Sequence, residues 1–437
     1  MAKKRILILG AGLAGLSAAW HLQRKGIDCC IFEKESEVGG LCRSKKINGF
    51  TFDYDGHLLH FRRRYTFNLV KSILGDNLSE HQRSAWIYTR GQYSRYPFQA
   101  NLYGLSASII KECLLGFIQT HNNGRHTKKI KDLNFLDWIY QTFGKGIAKH
   151  FMIPYNTKFW TVSPGELTCE WLDGFIPVPT LRQILEGTIE DSKRQFGYNG
   201  CFWYPKKGGI NQLSFALASE IKNIYTNCRI VEIDLNEKEI RTSSGNKERF
   251  NYLISTIPLP EIPYLIKKIP AQINSSFRKL NWNSIYNLNL GIEKNGFLKK
   301  HWIYYPQKEI CFFRIGFFHN FSSCLAPPDK SSLYIEVSYS KDKPIDKNNI
   351  VSSIKRDLEK TGVLGKDDNI FVQDINDIKY GYPIYDKNYR QAREKIFGFL
   401  ERNNIMACGR YGSWRYMTME DAIIEGKAAA DYVLKNV

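Results

Sequence analysis

Hydrophobic and polar positions follow two periods along this chain, and the changes of period mark its organisation. Residues Arg5 to Leu9 (RILIL) form a continuous apolar, β-branched-rich run that stops at Gly10-Ala11-Gly12-Leu13-Ala14-Gly15 and passes into Leu16-Ser17-Ala18-Ala19-Trp20-His21-Leu22. That pattern predicts a buried strand, a tight turn and a helix. A second such strand, Cys29 to Phe32, follows the helix-ending Gly26 and closes with Glu33, completing a β-α-β unit. From about residue 60 to 200 the period becomes helical, with apolar residues three and four apart in Phe135 to Tyr140 and in Leu181 to Leu185. Ile109-Ile110, Leu114-Leu115 and Phe117-Ile118 predict a further helix buried in that lobe. Alternation returns at Arg229 to Ile233 and at Tyr252 to Thr256, just ahead of Pro258. The stretch 283–385 holds several short strands, among them Ile310 to Arg314 and Ser332 to Val337. A strand at Ile405 to Cys408, a glycine turn and a helix from Met419, opened by a Thr418-x-x-Asp421 capping box, close the chain.

These elements predict an α/β dinucleotide-binding domain interrupted by two insertions. Residues 1–60, 200–282 and 386–437 form the discontinuous domain, 61–199 a mainly helical insert, and 283–385 a β-sheet substrate domain. There is no internal repeat and no low-complexity tract.

Composition narrows the function classes. With 43% hydrophobic and 24% charged residues over 437 positions, the chain is not mostly disordered, collagen-like or coiled-coil. A net charge of +19 favours anionic partners. The basic residues are spread out, clustering only briefly at Arg62-Arg63-Arg64 and Lys128-Lys129, and no nucleic-acid-reading motif accompanies them. The ten cysteines form no CxxC pair, which argues against a zinc site or a disulfide framework, and no metal site is expected. The N-terminal apolar run is too short for a signal peptide, and no run approaches a membrane span. A reduced, cytoplasmic protein is expected, with peripheral membrane contact and oligomerisation left open.

The Gly10-x-Gly12-x-x-Gly15 turn carries the first specific chemistry. Its first glycine permits the sharp turn, its second lets backbone approach a pyrophosphate, and its third lets helix pack on strand. The helix N-terminus adds N–H donors and a positive dipole end. Glu33, at the end of the second strand, stands where an acidic side chain can bind both ribose hydroxyls.

A paired-glycine turn follows at Glu37-Val38-Gly39-Gly40-Leu41-Cys42-Arg43-Ser44 and resembles the amine-oxidase-like flavoproteins, in which the glycines and arginine lie along the FAD pyrophosphate. Four further motifs sharpen the resemblance. Tyr96-Pro97-Phe98-Gln99, Pro154 to Trp160 (PYNTKFW), Cys169-Glu170-Trp171-Leu172 and Gly409 to Tyr416 (GRYGSWRY) occur in the order seen in UDP-galactopyranose mutases, over nearly the whole chain.

The resemblance implies a Rossmann-type, GR2-like FAD-binding domain and places Gly56-His57, after Asp53-Tyr54-Asp55, against the flavin's reactive face. It puts Arg83 and Arg410 on the flavin or its substrate side. The expected cofactor contacts also include Leu13, Ala14, Lys34, Leu41, Ile230, Thr256, Gly409, Met419, Glu420 and Asp421, with the final helix facing the flavin's electron-rich carbonyl edge. Tyr96, Gln99, Asn156, Trp160 and Tyr304 would line a nucleotide pocket. Arg314 would hold a diphosphate, and Tyr382 and Tyr416 would donate to its oxygens; with His57 these form the expected catalytic set. The implied reaction interconverts pyranose and furanose forms of a nucleoside-diphosphate sugar: reduced flavin attacks the anomeric carbon through N5, and no net redox occurs. NAD(P)H could supply the reducing equivalents. A true oxidase or desaturase is the alternative.

Three positions depart from the family pattern. Phe175 stands where a second diphosphate arginine is expected, with Arg182 as a possible substitute further on. Phe321 replaces a phosphate-binding tyrosine, and Ala85 a flavin-contacting serine.

Overall fold

The computed structural model describes residues 4–122, 132–172, 174–294 and 298–436. The Lys128-Lys129 cluster and Asp173 of the Trp171 motif lie outside the described residues. The first predicted strand, Ile6–Leu9, is buried along its whole length. It sits at the centre of a five-stranded parallel sheet in the order Ile405–Ala407, Tyr252–Ser255, Ile6–Leu9, Cys29–Phe32, Ile224–Tyr225. Strands drawn from all three separated segments pair here, so the nucleotide-binding fold is discontinuous. Helix Leu13–Gln23 packs between this sheet and the closing helix Met419–Asn436. Their approach is close: a Cβ at Gly426 would lie 2.2 Å from the Ala14 carbonyl oxygen.

A second, mixed sheet forms the floor of the other lobe. Its seven strands run in the order Ile370–Pro383, Trp282–Ile292, Ser331–Tyr339, Arg314–Phe317, Trp302–Tyr304, Ala85–Thr89, Gln92–Arg95. All neighbours are antiparallel except Trp302–Tyr304 with Ala85–Thr89. Helices Ala107–Asn122, Phe135–Ile147, Ile153–Trp160 and Leu181–Ile189 belong to the insert. The first two meet through glycines: a Cβ at Gly144 would stand 2.1 Å from the Gly116 carbonyl oxygen.

The structure corrects the expected pattern twice. Within the stretch read as helical, Ser79–Gln82, Ala85–Thr89 and Gln92–Arg95 are strands. The last two extend the sheet of the 283–385 segment, while Ser79–Gln82 pairs with Cys201–Tyr204. Ser79–Gln82 and Ala85–Thr89 find partners far along the chain, Gln92–Arg95 pairs with its hairpin neighbour at the sheet edge, and such short strands leave little local period. The strand expected over Ile310 to Arg314 begins only at Arg314. Ile310, Phe312 and Phe313 are buried in a loop that folds inward, with Tyr305 N donating to the Phe313 carbonyl (2.9 Å). Their apolar character records burial and not ladder pairing.

Candidate functional site

The expected site residues fall into two groups in space. The first is the nucleotide end, at the carboxyl edge of the parallel sheet. Gly10 has φ +96°, and a Cβ there would collide with Thr256 Oγ1 at 2.2 Å; that hydroxyl is itself tied to the Leu9 carbonyl. A Cβ at Gly15 would lie 2.0 Å from the Gly10 carbonyl oxygen. Both glycines are demanded by the chain's own packing. Gly12 differs, because a Cβ there would meet nothing nearer than Gly40 Cα at 3.9 Å. Its smallness is not required by the fold and suits the close approach of a ligand.

Glu33 is buried and accepts from Ala11 N (2.7 Å) and Glu35 N (2.9 Å), so its carboxylate is fixed beside the glycine turn. Ile230 follows a segment that runs alongside, with Cys228 N on the Glu33 carbonyl (2.7 Å). Gly39 and Gly40 both have positive φ, and Arg43 Nε donates to the Gly40 carbonyl (2.7 Å) while its guanidinium covers Tyr54. Leu13 and Ala14 open the helix, and Gly409, at φ +78°, packs on Ala14. Lys34 is largely exposed beside Glu35.

The second group surrounds a cavity of about 240 Å³ between the two lobes. Leu41, Gly56, His57, Arg410 and Met419 line it from the nucleotide side. Tyr96, Gln99, Asn156, Tyr304, Arg314, Tyr382 and Tyr416 line it from the substrate side. Tyr96 and Tyr304 pack with tilted rings 5.1 Å apart, and Tyr382 and Tyr416 stack at 5.5 Å, so these aromatic residues form two pairs. Burial pushes the hydroxyls of Tyr96, Tyr382 and Tyr416 upward, which keeps them protonated as donors. Burial also lowers the His57 imidazole to about 4, and its Nδ1 has no partner. His57 therefore presents a neutral ring with an unused polar atom.

Arg314 is held differently from expectation. Its Nε and Nη2 form a two-pronged pair with Glu336, the latter at 2.7 Å, and Glu336 is fully buried. The guanidinium fork is spent on the protein, which leaves Nη1 for a ligand. Burial opposes the arginine's charge, and contact with Glu336 more than offsets it, so the group stays cationic. Burial likewise pushes the Glu336 carboxyl up; Arg314 pulls against this, and neighbouring Asp55 adds to the rise. Arg410 is partly buried, and donates to the Met417 carbonyl beneath the Tyr382 and Tyr416 rings.

Several expected residues lie outside the cavity lining. Trp160 is fully buried behind it, packed on Trp171, Tyr382 and Tyr416. Arg83 backs Tyr96 at 4.9 Å and bonds Asn199 and the Phe196 carbonyl. Glu420 accepts from Arg62 N, Arg63 N and the Thr66 hydroxyl, fastening helix Arg64–Leu74 to the last helix. Asp421 pairs with Arg62 and closes the Thr418 capping box. Arg182 is 87% exposed and pairs with Glu186, so it does not stand in for the arginine absent at Phe175. Phe175 itself lines the cavity, edge-on to Tyr416 at 4.7 Å, with the Arg62 guanidinium 5.7 Å behind its ring. Phe321 belongs to an aromatic core with Phe202 and Tyr204, and Ala85 begins a buried strand.

The structure adds cavity residues the motifs did not single out: Asp55, Tyr155, Tyr198, Tyr334 and Tyr411, with Glu336 behind. Tyr334 matters most, since a Cβ on Gly56 would lie 2.2 Å from its hydroxyl. Glu336 left one signal, an acidic residue in the otherwise apolar Leu333 to Val337 strand. Among the described residues no group of three or more His, Cys, Asp or Glu could hold a metal ion, and no helix is long and apolar enough to cross a membrane.

Comparison with known proteins places this geometry. The family model described as flavin containing amine oxidoreductase matches residues 13–434. Among curated proteins, a probable flavin-containing monoamine oxidase A from Dictyostelium discoideum is 24% identical over 58% of this chain and 57% of its own length. An L-amino-acid oxidase from Crotalus adamanteus is 24% identical over 54% and 46%. The chain thus spans about half the length of these two relatives. A 4,4'-diaponeurosporene oxygenase from Staphylococcus aureus (strain MW2) is 22% identical over 91% and 88%. Among solved structures, reduced UDP-galactopyranose mutase superposes with TM-score 0.94 at 28% identity, covering 100% of this chain and 95% of that one. A putative protoporphyrinogen oxidase from Exiguobacterium shares the fold at TM-score 0.78 and 16% identity, each chain covered in full.

Proposed function

The chain belongs to the flavin-containing amine oxidoreductase family, which implies a flavin cofactor, and from that premise we propose that it is an FAD-dependent nucleotide-sugar mutase. It would interconvert pyranose and furanose forms of a nucleoside-diphosphate hexose with no net redox. One observation carries this reading: two partly buried arginines, Arg314 and Arg410, converge with tyrosine side chains on one cavity. The two guanidinium groups favour a diphosphate over a protonated amine. The full-length likeness to UDP-galactopyranose mutase supports it.

The residues present fit FAD. The open face of Gly12 beside Gly40 leaves backbone accessible for a pyrophosphate, Glu33 holds a carboxylate for the ribose, and His57, whose Nδ1 has no partner, is among the cavity lining. When bound and reduced, FAD supplies the electron-rich centre that reacts with the anomeric carbon. The chain's part is binding and electrostatics. Arg314 Nη1, Tyr382 and Tyr416 would hold the diphosphate and offset the negative charge that grows as it departs. Tyr96, Gln99 and Asn156 would fix the nucleoside, so that the sugar is delivered in one orientation. Buried aromatic walls exclude water, which strengthens each of these contacts. No side chain is assigned as general base, because burial lowers His57 to about 4, which leaves it a weak base, and it reads as a cofactor contact. NAD(P)H is the proposed reductant, and ten free cysteines suit the reducing cytoplasm where we place the protein.

The curated relatives favour a second reading, an oxidase or desaturase. The test reduces the FAD-loaded protein anaerobically and supplies UDP-, GDP- and dTDP-hexoses, with ring isomers separated by chromatography. Oxygen uptake is followed in parallel in air. A furanose product without oxygen consumption is expected. Oxygen consumption driven by an amine or polyene, with no ring isomer from any nucleotide sugar, would overturn the mutase reading.

A further inference from the structure

Lys158 lies in the helix Ile153–Trp160 that carries Tyr155 and Asn156 into the cavity, yet it points the other way and is 8% exposed. Its ammonium donates to the carbonyls of Tyr305 (2.7 Å), Gln307 and Phe312 (3.0 Å). Among the described residues no carboxylate comes within 4.0 Å of it. Asp357, the nearest acidic group on helix Ile350–Lys360, gives an oxygen to Cys311 N instead (2.8 Å).

The three carbonyls belong to one loop, 305–313, whose two ends are cavity residues. Tyr304 precedes it and Arg314 follows it, and the two face each other across the hairpin. Tyr155 and Phe159 pack edge-on against Phe313 at the loop's end, at 6.4 and 5.3 Å, so helix and loop are already in contact. Burying a cation without a counter-ion is costly, and a methionine would fill similar space without that cost. What only an ammonium offers is three donors diverging from one atom. The chemistry at this position therefore matches closure of the loop, not filling of the core.

We propose that Lys158 is a positioning residue for the cavity: its ammonium ties both ends of loop 305–313 to the helix and sets where Tyr304 and Arg314 stand relative to Asn156. The consequence for nucleotide-sugar binding rests on the function proposed above; the positioning itself does not. Burial pushes the ammonium down to about 7. Cys311 and Glu309 from the loop and Asp357 from the neighbouring helix favour its charge, while Lys343 opposes it. Above that pH the neutral amine keeps two donors and turns a lone pair toward a carbonyl, so the loop is held less tightly.

Hydrogen exchange on the FAD-loaded full chain, read by mass spectrometry, tests the proposal. In Lys158→Met, peptides covering 305–313 are expected to exchange about tenfold faster or more, with Ile6–Leu9 unchanged, and UDP-glucose to bind about tenfold more weakly. Exchange of that loop within about twofold of the parent would overturn the positioning role. Should the variant not fold, the parent carries the test. Between about pH 6 and 9, after correction for the intrinsic chemical rate, loop protection is expected to fall through an inflection near 7. A flat profile refutes the proposal. A parent that binds no UDP-glucose counts against the nucleotide-sugar reading and leaves the exchange result to decide Lys158.

Discussion

The nucleotide end and the cavity are built on different principles. At the nucleotide end, backbone does the work: glycines at 10, 12 and 15, a positive φ at Gly39 and Gly40, and one acidic side chain at Glu33 held by amides two residues and twenty-two residues away. In the cavity, side chains from the insert, the mixed sheet and the C-terminal segment converge, and Arg314 is braced by Glu336 from a neighbouring strand. The first kind of site keeps its fold wherever a side chain has room, although a ligand can need that room; the second depends on where charged and hydroxyl-bearing side chains are placed. A ligand's pyrophosphate needs only donors and space, whereas a departing diphosphate needs fixed charge.

That contrast can be broken most directly at Arg314. Arg314→Leu leaves Glu336 buried without its partner, and breaking such a pair costs about 3–5 kcal/mol. Thermal unfolding should show the loss, and ring isomerisation should be abolished. In Arg314→Leu/Glu336→Leu most of the stability is expected to return while turnover stays absent, which separates the two contributions.

The glycines supply the next test, at the other end. Gly15→Ala forces a Cβ onto the Gly10 carbonyl and is expected to destabilise by about 1–3 kcal/mol. Gly12→Ala meets only ordinary contact, so its flavin-free form should melt with the flavin-free parent, while bound flavin, read from visible absorbance, falls sharply. Equal behaviour of the two variants would erase the distinction between packing glycine and ligand glycine.

A smaller effect appears with pH. Burial holds His57, His60 and His301 at about 4, against 6.5 for the free side chain. The unfolded chain therefore takes up protons first, and stability is lost as pH falls from about 6.5 toward 4. Asp53 acts in the opposite sense: burial raises it to about 6, so the stability it contributes at low pH is lost as pH rises between 3.8 and 6. The histidines outnumber it, and melting temperature should drop between pH 6.5 and 5. His301→Gln is expected to flatten the slope, because His301 Nδ1 accepts from Ser84 N and loses that role when protonated. The smallest expected effect is at Arg182. Its exposed side chain touches Glu186 alone, so Arg182→Ala should leave UDP-glucose affinity within about twofold.

Legibility in the sequence follows the same division. The strand, turn and helix at residues 5–22, the capping box at Thr418 and the strands near 230, 252 and 405 were readable, because each rests on contacts within a few residues or on an unbroken apolar run. The motif resemblance also located the cavity, down to Tyr96, Gln99, Asn156, Tyr304, Arg314, Tyr382 and Tyr416. It did not give side-chain direction: Trp160 packs behind the wall, Glu420 fastens two helices, and Arg314 turns its fork toward Glu336. A motif names residues that travel together; it does not say which way each one faces.

Backbone chemistry alone was enough to establish a nucleotide-binding α/β fold here, since positive φ, missing Cβ atoms and helix dipoles act over a single turn of chain. The pairing of Glu336 with Arg314 across neighbouring strands, the late start of the strand at Arg314 and the reach of Lys158 to three carbonyls about 150 residues away arose only when separate segments came together. Side-chain direction in a buried site is set by which partners satisfy each polar group, and those partners are chosen by packing across the whole fold.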